Sequence, residues 1–346
     1  MPAKPFEPLP FDAGLDEYRR QAEGLLRDGA ALDQADAELT VARRYDFGDW
    51  GCLAQYVDGV SVSDSPVHRF EAAVEAVVGG DLAGLGRMLV ADPNLVMARS
   101  ARVTHFDPPV HRATLLNYLA ANGVEGHRQR TPPNAVAIAT LLLDAGAEVD
   151  ALADLYGGQC TTMSLLVSSA HPAAAGLQIP LAETLLDHGA ALEPRGSGNW
   201  TSPLMTALAF GYTEVADMLV RRGAPVATVA AAAALGRVDL IRQLLPGSDS
   251  LDRHRGLALA AQHGRLEPVR LLLDAGEDPD RYNPEGNHRH STPLHQAVWS
   301  GQLPVVRLLV ERGARVDIRD TVHDGTALDW ALHGKRTEVA GYLRGR

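Results

Sequence analysis

Two clusters of histidine are the first chemistry this sequence offers. The stretch HFDPPVHRATLLNY brings His105, Asp107, His111, Arg112, Asn117 and Tyr118 close together. From such a set a general base, an anion clamp or a hydrogen-bonded binding site could be drawn. Further on, HRHSTPLH places His288, His290 and His295 side by side, and His323 follows in a later loop. Imidazole suits zinc, yet zinc sites close with four ligands at fixed spacings. No fourth ligand follows locally, and the 2 cysteines, Cys52 and Cys160, stand apart from both clusters. The expectation is therefore no metal. YGGQCTT, which begins at Tyr156, lacks the Gly-Lys-Ser/Thr end of a phosphate loop. No G-x-S-x-G elbow is present, and no cationic neighbourhood is visible that would activate Cys160. No cofactor is expected. The plainer reading of the histidines is that they hydrogen-bond loop backbone.

What must hold these residues is helical. In STPLHQAVWSGQLPVVRLLVERGA (291–314), Thr292 and Pro293 suit a helix start. Leu294, Ala297 and Val298 then keep a three-and-four spacing up to Gly301. A second stripe runs through Val305, Val306, Leu308 and Leu309 to Gly313, the left-handed position that ends a helix. Neither helix can bury its one apolar face alone. The same order returns at Thr326, Leu328, Ala331 and Gly334, a shift of 34 (328 − 294). It returns again at Ser202–Gly223, at Leu257–Gly276, and in weaker copies over 69–96, 113–150, 161–192 and 226–245. A helix–turn–helix unit near 33 residues opening on Thr-Pro-Leu-His resembles the ankyrin repeat. The resemblance covers residues 66–346. It implies an all-α solenoid of about seven to eight repeats and, as function, protein binding along fingers and inner helices.

Ahead of the repeats, GLDEYRRQAEGLLRDG and QADAELTVARRYDFGDWGCLAQYVDGV read as three helices, with Trp50 on an apolar face. ARRYDFGDW resembles a segment preceding the repeats in many bacterial ankyrin proteins. The expected organisation is a flexible arm over 1–12, an N-terminal helical cap over 13–60, a short linker, and the repeat domain over 66–346. An open solenoid exposes its first apolar face, so a helical module with a polar outer side is what that end requires.

Two repeats carry an insertion between their helices, GVEGHRQRTPPN (123–134) and AHPAAAGLQIP (170–180). The first supplies Glu125, Arg128 and Arg130, the second His171. Fingers lengthen at 100–111, 151–160, 281–290 and 319–325. Insertions in a repeat array gather on one face, often the binding face. The position after the leading Leu forms a row containing Asn117, Ser164 and His295, with Met205 and Asp329 equivalent. For this row, hydrogen bonds to the neighbouring loop and ligand contacts both stand as readings. Trp200, just before a helix start, is read as interface or as core, whereas Trp330 should pack in the stack.

A net charge of −11 and a pI near 5.6 argue against nucleic acid, whose phosphates demand clustered Lys and Arg. No apolar run reaches the length needed to span a bilayer, and MPAKPFEPLPFDAG has no signal-peptide core. Two separated cysteines fit a reducing compartment. The sequence thus predicts a cytoplasmic, non-catalytic scaffold that binds a protein partner through its concave face and fingers. The alternative is a small-molecule-binding protein or unusual enzyme, with a polar pocket around residues 105–171.

Overall fold

A computed structural model describes residues 13–193 and 202–346. The arm expected over 1–12 and Trp200 lie outside them. The chain divides into two compact units, residues 1–202 and 203–346.

The first unit opens with α1 (Leu15–Arg27), α2 (Gln34–Arg44) and α3 (Trp50–Ser61). Asp33 and Asp49 cap α2 and α3 by accepting from the Asp36 and Cys52 amides, which would otherwise lack partners. Tyr18, Val41, Tyr45, Phe47, Leu53 and Tyr56 close the core between them. Tyr18 meets Tyr45 edge-on at 5.4 Å, and Phe47 meets Tyr56 at 5.1 Å. Trp50, expected in that core, sits at the first turn of α3 and is only partly buried. Phe47, in the turn before it, takes the central place.

Helical hairpins follow. Ser65 caps α4 (Pro66–Gly79), with Pro66 at the first helical position, and α4 turns into α5 (Leu82–Ala91). That turn needs glycine: Gly80 has φ 83°, and a Cβ there would lie 2.9 Å from Asn134 Oδ1. Next come α6 (Leu115–Tyr118) and α7 (Ala135–Asp144). The finger expected over 151–160 folds as a hairpin of β1 (Ala153–Leu155) and β2 (Gly158–Cys160), antiparallel, with Ala153 opposite Cys160. The third helical hairpin is α8 (Thr162–Leu166) with α10 (Gln178–Asp187), and the insertion between them carries the short α9 (Ala170–Ala174).

Five more hairpins form the second unit. They are α11 (Pro203–Ala209) with α12 (Thr213–Arg221), α13 (Val229–Ala234) with α14 (Val238–Leu244), and α15 (Ser250–Gln262) with α16 (Leu266–Asp274). Then come α17 (Pro293–Trp299) with α18 (Leu303–Glu311) and α19 (Ala327–His333) with α20 (Thr337–Leu343). Leu257, Ala260, Leu294, Ala297, Val305, Leu309 and Ala331, the residues of the repeating stripe, are buried in one shared cluster. Small residues let thin helices pack closely, and Ala230 through Ala234 on α13 are all enclosed. The fold is the expected all-α solenoid of hairpins. Among the described residues β1 and β2 are the one strand pair.

Candidate functional site

The row after the leading Leu starts the inner helices. Thr292 donates from its amide to His295 Nδ1 at 3.3 Å, so that nitrogen is the acceptor. His295 Nε2 therefore carries the proton and donates to the Gly325 carbonyl at 3.2 Å, tying one finger to the next. Burial holds the His295 imidazole below its ordinary pKa, in keeping with this neutral tautomer. Asn117 does the same work with an amide: Oδ1 accepts from Thr114 N at 2.8 Å, and Nδ2 donates to Thr162 Oγ1 at 2.9 Å. At Asp329, Oδ2 accepts from the Thr326 amide and hydroxyl. Ser164 Oγ accepts from Thr161 Oγ1 at 3.2 Å. Asn117, Ser164 and His295 are buried and spent on helix capping. Of the two readings open for this row, these bonds are the first, hydrogen bonding within the scaffold.

In the first unit the insertion after α6 turns back towards α4 and the N-terminal helices. Arg128, 1% exposed, donates from Nη2 to Glu71 Oε2 at 2.7 Å and from Nε to Glu75 Oε1 at 3.0 Å. Glu125, fully enclosed, has Arg102 Nε at 3.7 Å, Arg128 Nη1 at 3.7 Å, His111 Nε2 at 3.3 Å and the Tyr118 hydroxyl at 3.5 Å. Arg102 donates to the Tyr45 carbonyl, and its guanidinium lies 4.1 Å above the Phe47 ring. The Gly126 amide donates to Asp46 Oδ2 at 3.1 Å. Burial alone would push the Glu125 carboxyl up, but Arg102 and Arg128 hold it well below the usual carboxylate range. Burial, together with the same two arginines, pushes His127 down to about 3. These side chains balance one another inside the protein.

This corrects the reading of His111, Tyr118, Glu125 and Arg128 as ligand contacts, since all four are buried. Sequence reasoning missed Asp46, Glu71 and Arg102. The signal was Glu71 and Glu75, four residues apart within the otherwise apolar RFEAAVEAVV. Of the other candidates, His105 is half-buried with Nδ1 3.8 Å from Asp46 Oδ1, and Arg130 is exposed with Nη2 3.8 Å from Glu75 Oε2. Arg112 and His171 are exposed, and Tyr156, 58% exposed, places its hydroxyl on Asn122 Oδ1.

A groove of about 720 Å³ opens in the second unit, at the ends of α11 and α15 and along α17 and α19. Its rings form a continuous set. His290 lies 6.2 Å from His288, 6.4 Å from His323 and 5.7 Å from Trp330. Trp299 meets Trp330 edge-on at 5.9 Å and stacks on His333 at 6.2 Å. The lengthened finger over 281–290 makes one wall, held where His288 Nε2 meets the Ala209 carbonyl at 3.1 Å. Trp330 is fixed from behind by donating Nε1 to Asp320 Oδ2 at 2.9 Å. Trp299 remains 46% exposed. Among the described residues, no group of three or more His, Cys, Asp or Glu is arranged to hold a metal ion.

Residues 228–320 match the family model for ankyrin repeats in three copies. That stretch carries ankyrin repeats. A stretch of 106 residues is 34% identical to the mouse ankyrin repeat and SAM domain-containing protein 6, covering 31% of this chain and 12% of that protein. Another, of 214 residues, is 29% identical to the worm (Caenorhabditis elegans) ankyrin repeat and KH domain-containing protein mask-1, covering 60% of this chain and 8% of that protein. The chain thus spans about a tenth of the length of these relatives. A solved structure, the human ASB11 ankyrin repeat domain, aligns with 79% of this chain and 98% of its own at a TM-score of 0.40 and 19% identity. These relatives are animal proteins. Among the ankyrin hairpins here, those of the second unit carry the candidate surface.

Proposed function

We propose that this chain is a non-catalytic recognition module that binds a protein partner in the groove of residues 203–346. The observation that carries the reading is Trp299, a large ring left 46% exposed in a groove of about 720 Å³ and flanked by other rings. Trp supplies a large rigid contact area at low entropic cost, and such residues dominate binding energy at protein interfaces. Ankyrin repeats commonly serve protein recognition, which fits a scaffold. The other reading, a small-molecule or catalytic pocket around 105–171, draws on side chains that are largely spent on each other.

The same proposal assigns residues 13–60 the role of cap and 66–346 that of the repeat array. It sets the protein in a cytoplasm, resting on the free thiols Cys52 and Cys160. Its acidic balance disfavours nucleic acid as partner. No described helix is long and apolar enough to cross a membrane. A bacterial origin rests on the ARRYDFGDW resemblance alone.

The experiment is capture from cell extract by the immobilised chain and by Trp299→Ala. The side chain is half in solvent, so the variant should melt like the parent while its capture falls. Unchanged capture would place the binding surface elsewhere.

A further inference from the structure

We infer that the groove of the second unit takes an acidic peptide segment, an extended stretch with Asp or Glu beside a large apolar residue. This rests on the groove being the binding surface and adds the chemistry of what fills it.

The argument is an inventory of open hydrogen-bonding groups. Asp320, behind the groove, has both oxygens occupied: Oδ1 accepts from the Val322 and His323 amides, and Oδ2 from the Gly325 amide and Trp330 Nε1. Asp329, on the wall, has already given Oδ2 to Thr326. Gln262 Oε1 is a neutral acceptor without a partner among the described residues, and the ionisable groups left over are donors. Arg336 uses Nε on the Trp299 carbonyl at 2.8 Å, and its guanidinium has no carboxylate partner among the described residues. His290, His323 and His333 make ring contacts, and none of their ring nitrogens has a hydrogen-bond partner among the described residues. Each neutral imidazole still offers an N–H, and protonation would add a second. A carboxylate entering here meets a guanidinium fork and several N–H groups, whereas an ammonium meets one carboxylate already half used.

Position adds to the count. Arg336 is bonded to the backbone carbonyl of Trp299, and both side chains line the groove. A peptide that lays an apolar side chain on Trp299 therefore brings its neighbouring residue towards Arg336. Arg with a carboxylate forms charge-assisted, often bidentate, hydrogen bonds, stronger than those between neutral groups. The groove thus offers its donors to an acidic ligand even though the whole chain carries −11.

The test is a random peptide library displayed on phage, selected on the full chain and counter-selected on Trp299→Ala. Peptides recovered are then synthesised with a fluorescent label, together with versions in which each Asp or Glu becomes Asn or Gln. The expected result is enrichment of Asp and Glu beside an apolar residue. Affinity should fall about tenfold for the neutral versions and for Arg336→Ala, recover in part in Arg336→Lys, and weaken as salt rises. Neutral or basic peptides that depend on Trp299 would overturn the acidic assignment and leave the groove standing. Recovery of nothing, or of peptides that bind Trp299→Ala equally, would sink the groove reading and this inference with it.

Discussion

Arg128 Nη2 stands 2.7 Å from Glu71 Oε2, and neither side chain is more than 2% exposed. The pair joins the insertion after α6 to the middle of α4, and Tyr56 from α3 donates to the same Glu71 oxygen at 2.8 Å. Three separate segments thus meet at one carboxylate. Removing one partner from such a pair strands the other in a medium that cannot solvate it. Arg128→Ala should therefore cost about 3–5 kcal/mol. Replacing Arg128 by Met and Glu71 by Leu together should cost less than Arg128→Ala alone. Urea denaturation of both variants checks this, and a double variant no more stable than the single would refute it.

The acid side of the stability curve should carry the mark of His127. Its imidazole is pushed down to about 3 by burial and by Arg102 and Arg128, whereas the unfolded chain takes up the proton near 6.5. Between those values the unfolded state binds more protons, so stability falls as the pH drops. The slope from this group approaches about 1.4 kcal/mol per pH unit. His254, His263 and His295 are held low as well and act in the same direction. Glu125, held well below its ordinary range, adds its own loss only at lower pH, within the carboxylate range. His127→Gln should flatten the dependence between pH 6.5 and 5 without abolishing it. Thermal melts at several pH values decide, and an unchanged slope would refute the assignment.

How much of this was written in the sequence differs between the two units. The hairpins were legible because Thr292, Leu294, Ala297 and Gly301 and their counterparts occupy fixed steps, and helix caps act locally. The row Asn117, Ser164 and His295 was legible as a row, and its capping use was one of two readings. The ion network was not. Arg102, Asp46 and Glu71 come from a finger, a turn and a helix, and nothing local marks charges that meet only after folding. Trp50 misled for a related reason: aromatic size suggested a core position, yet the first turn of α3 leaves it at the edge while Phe47 fills the centre.

Equivalence along the capping row gives a further prediction. His295 Nδ1 and Asn117 Oδ1 both accept from the backbone amide of the threonine that starts their helix. Each also reaches the next repeat with a donor, Nε2 to Gly325 O and Nδ2 to Thr162 Oγ1. An amide can thus stand in for the imidazole. His295→Ala should cost about 1–3 kcal/mol, because it strands a buried amide and a carbonyl. His295→Asn should lose clearly less. Melting temperatures of the two variants check the order, and equal losses would show that the ring's packing against Trp330 matters more than its hydrogen bonds.

The two insertions, alike in sequence position, should respond differently to removal. Residues 124–133 carry Glu125 and Arg128, and without them Arg102 and Glu71 lose their buried counter-charges. The Asp46 carboxylate also loses the Gly126 amide. Residues 170–180 bury only Pro172 and Gln178, with Gln178 Nε2 donating to the Leu166 carbonyl at 3.0 Å as their chief inward bond. A one-glycine turn in place of 124–133 should therefore lower stability by more than about 3 kcal/mol. The corresponding change at 171–177, which spares Gln178, should cost only a fraction of that. Denaturation followed by circular dichroism ranks the two. Equal melting of both variants would mean that the ion network does not explain why the first insertion is there, and its contacts with α4 would then be incidental to stability.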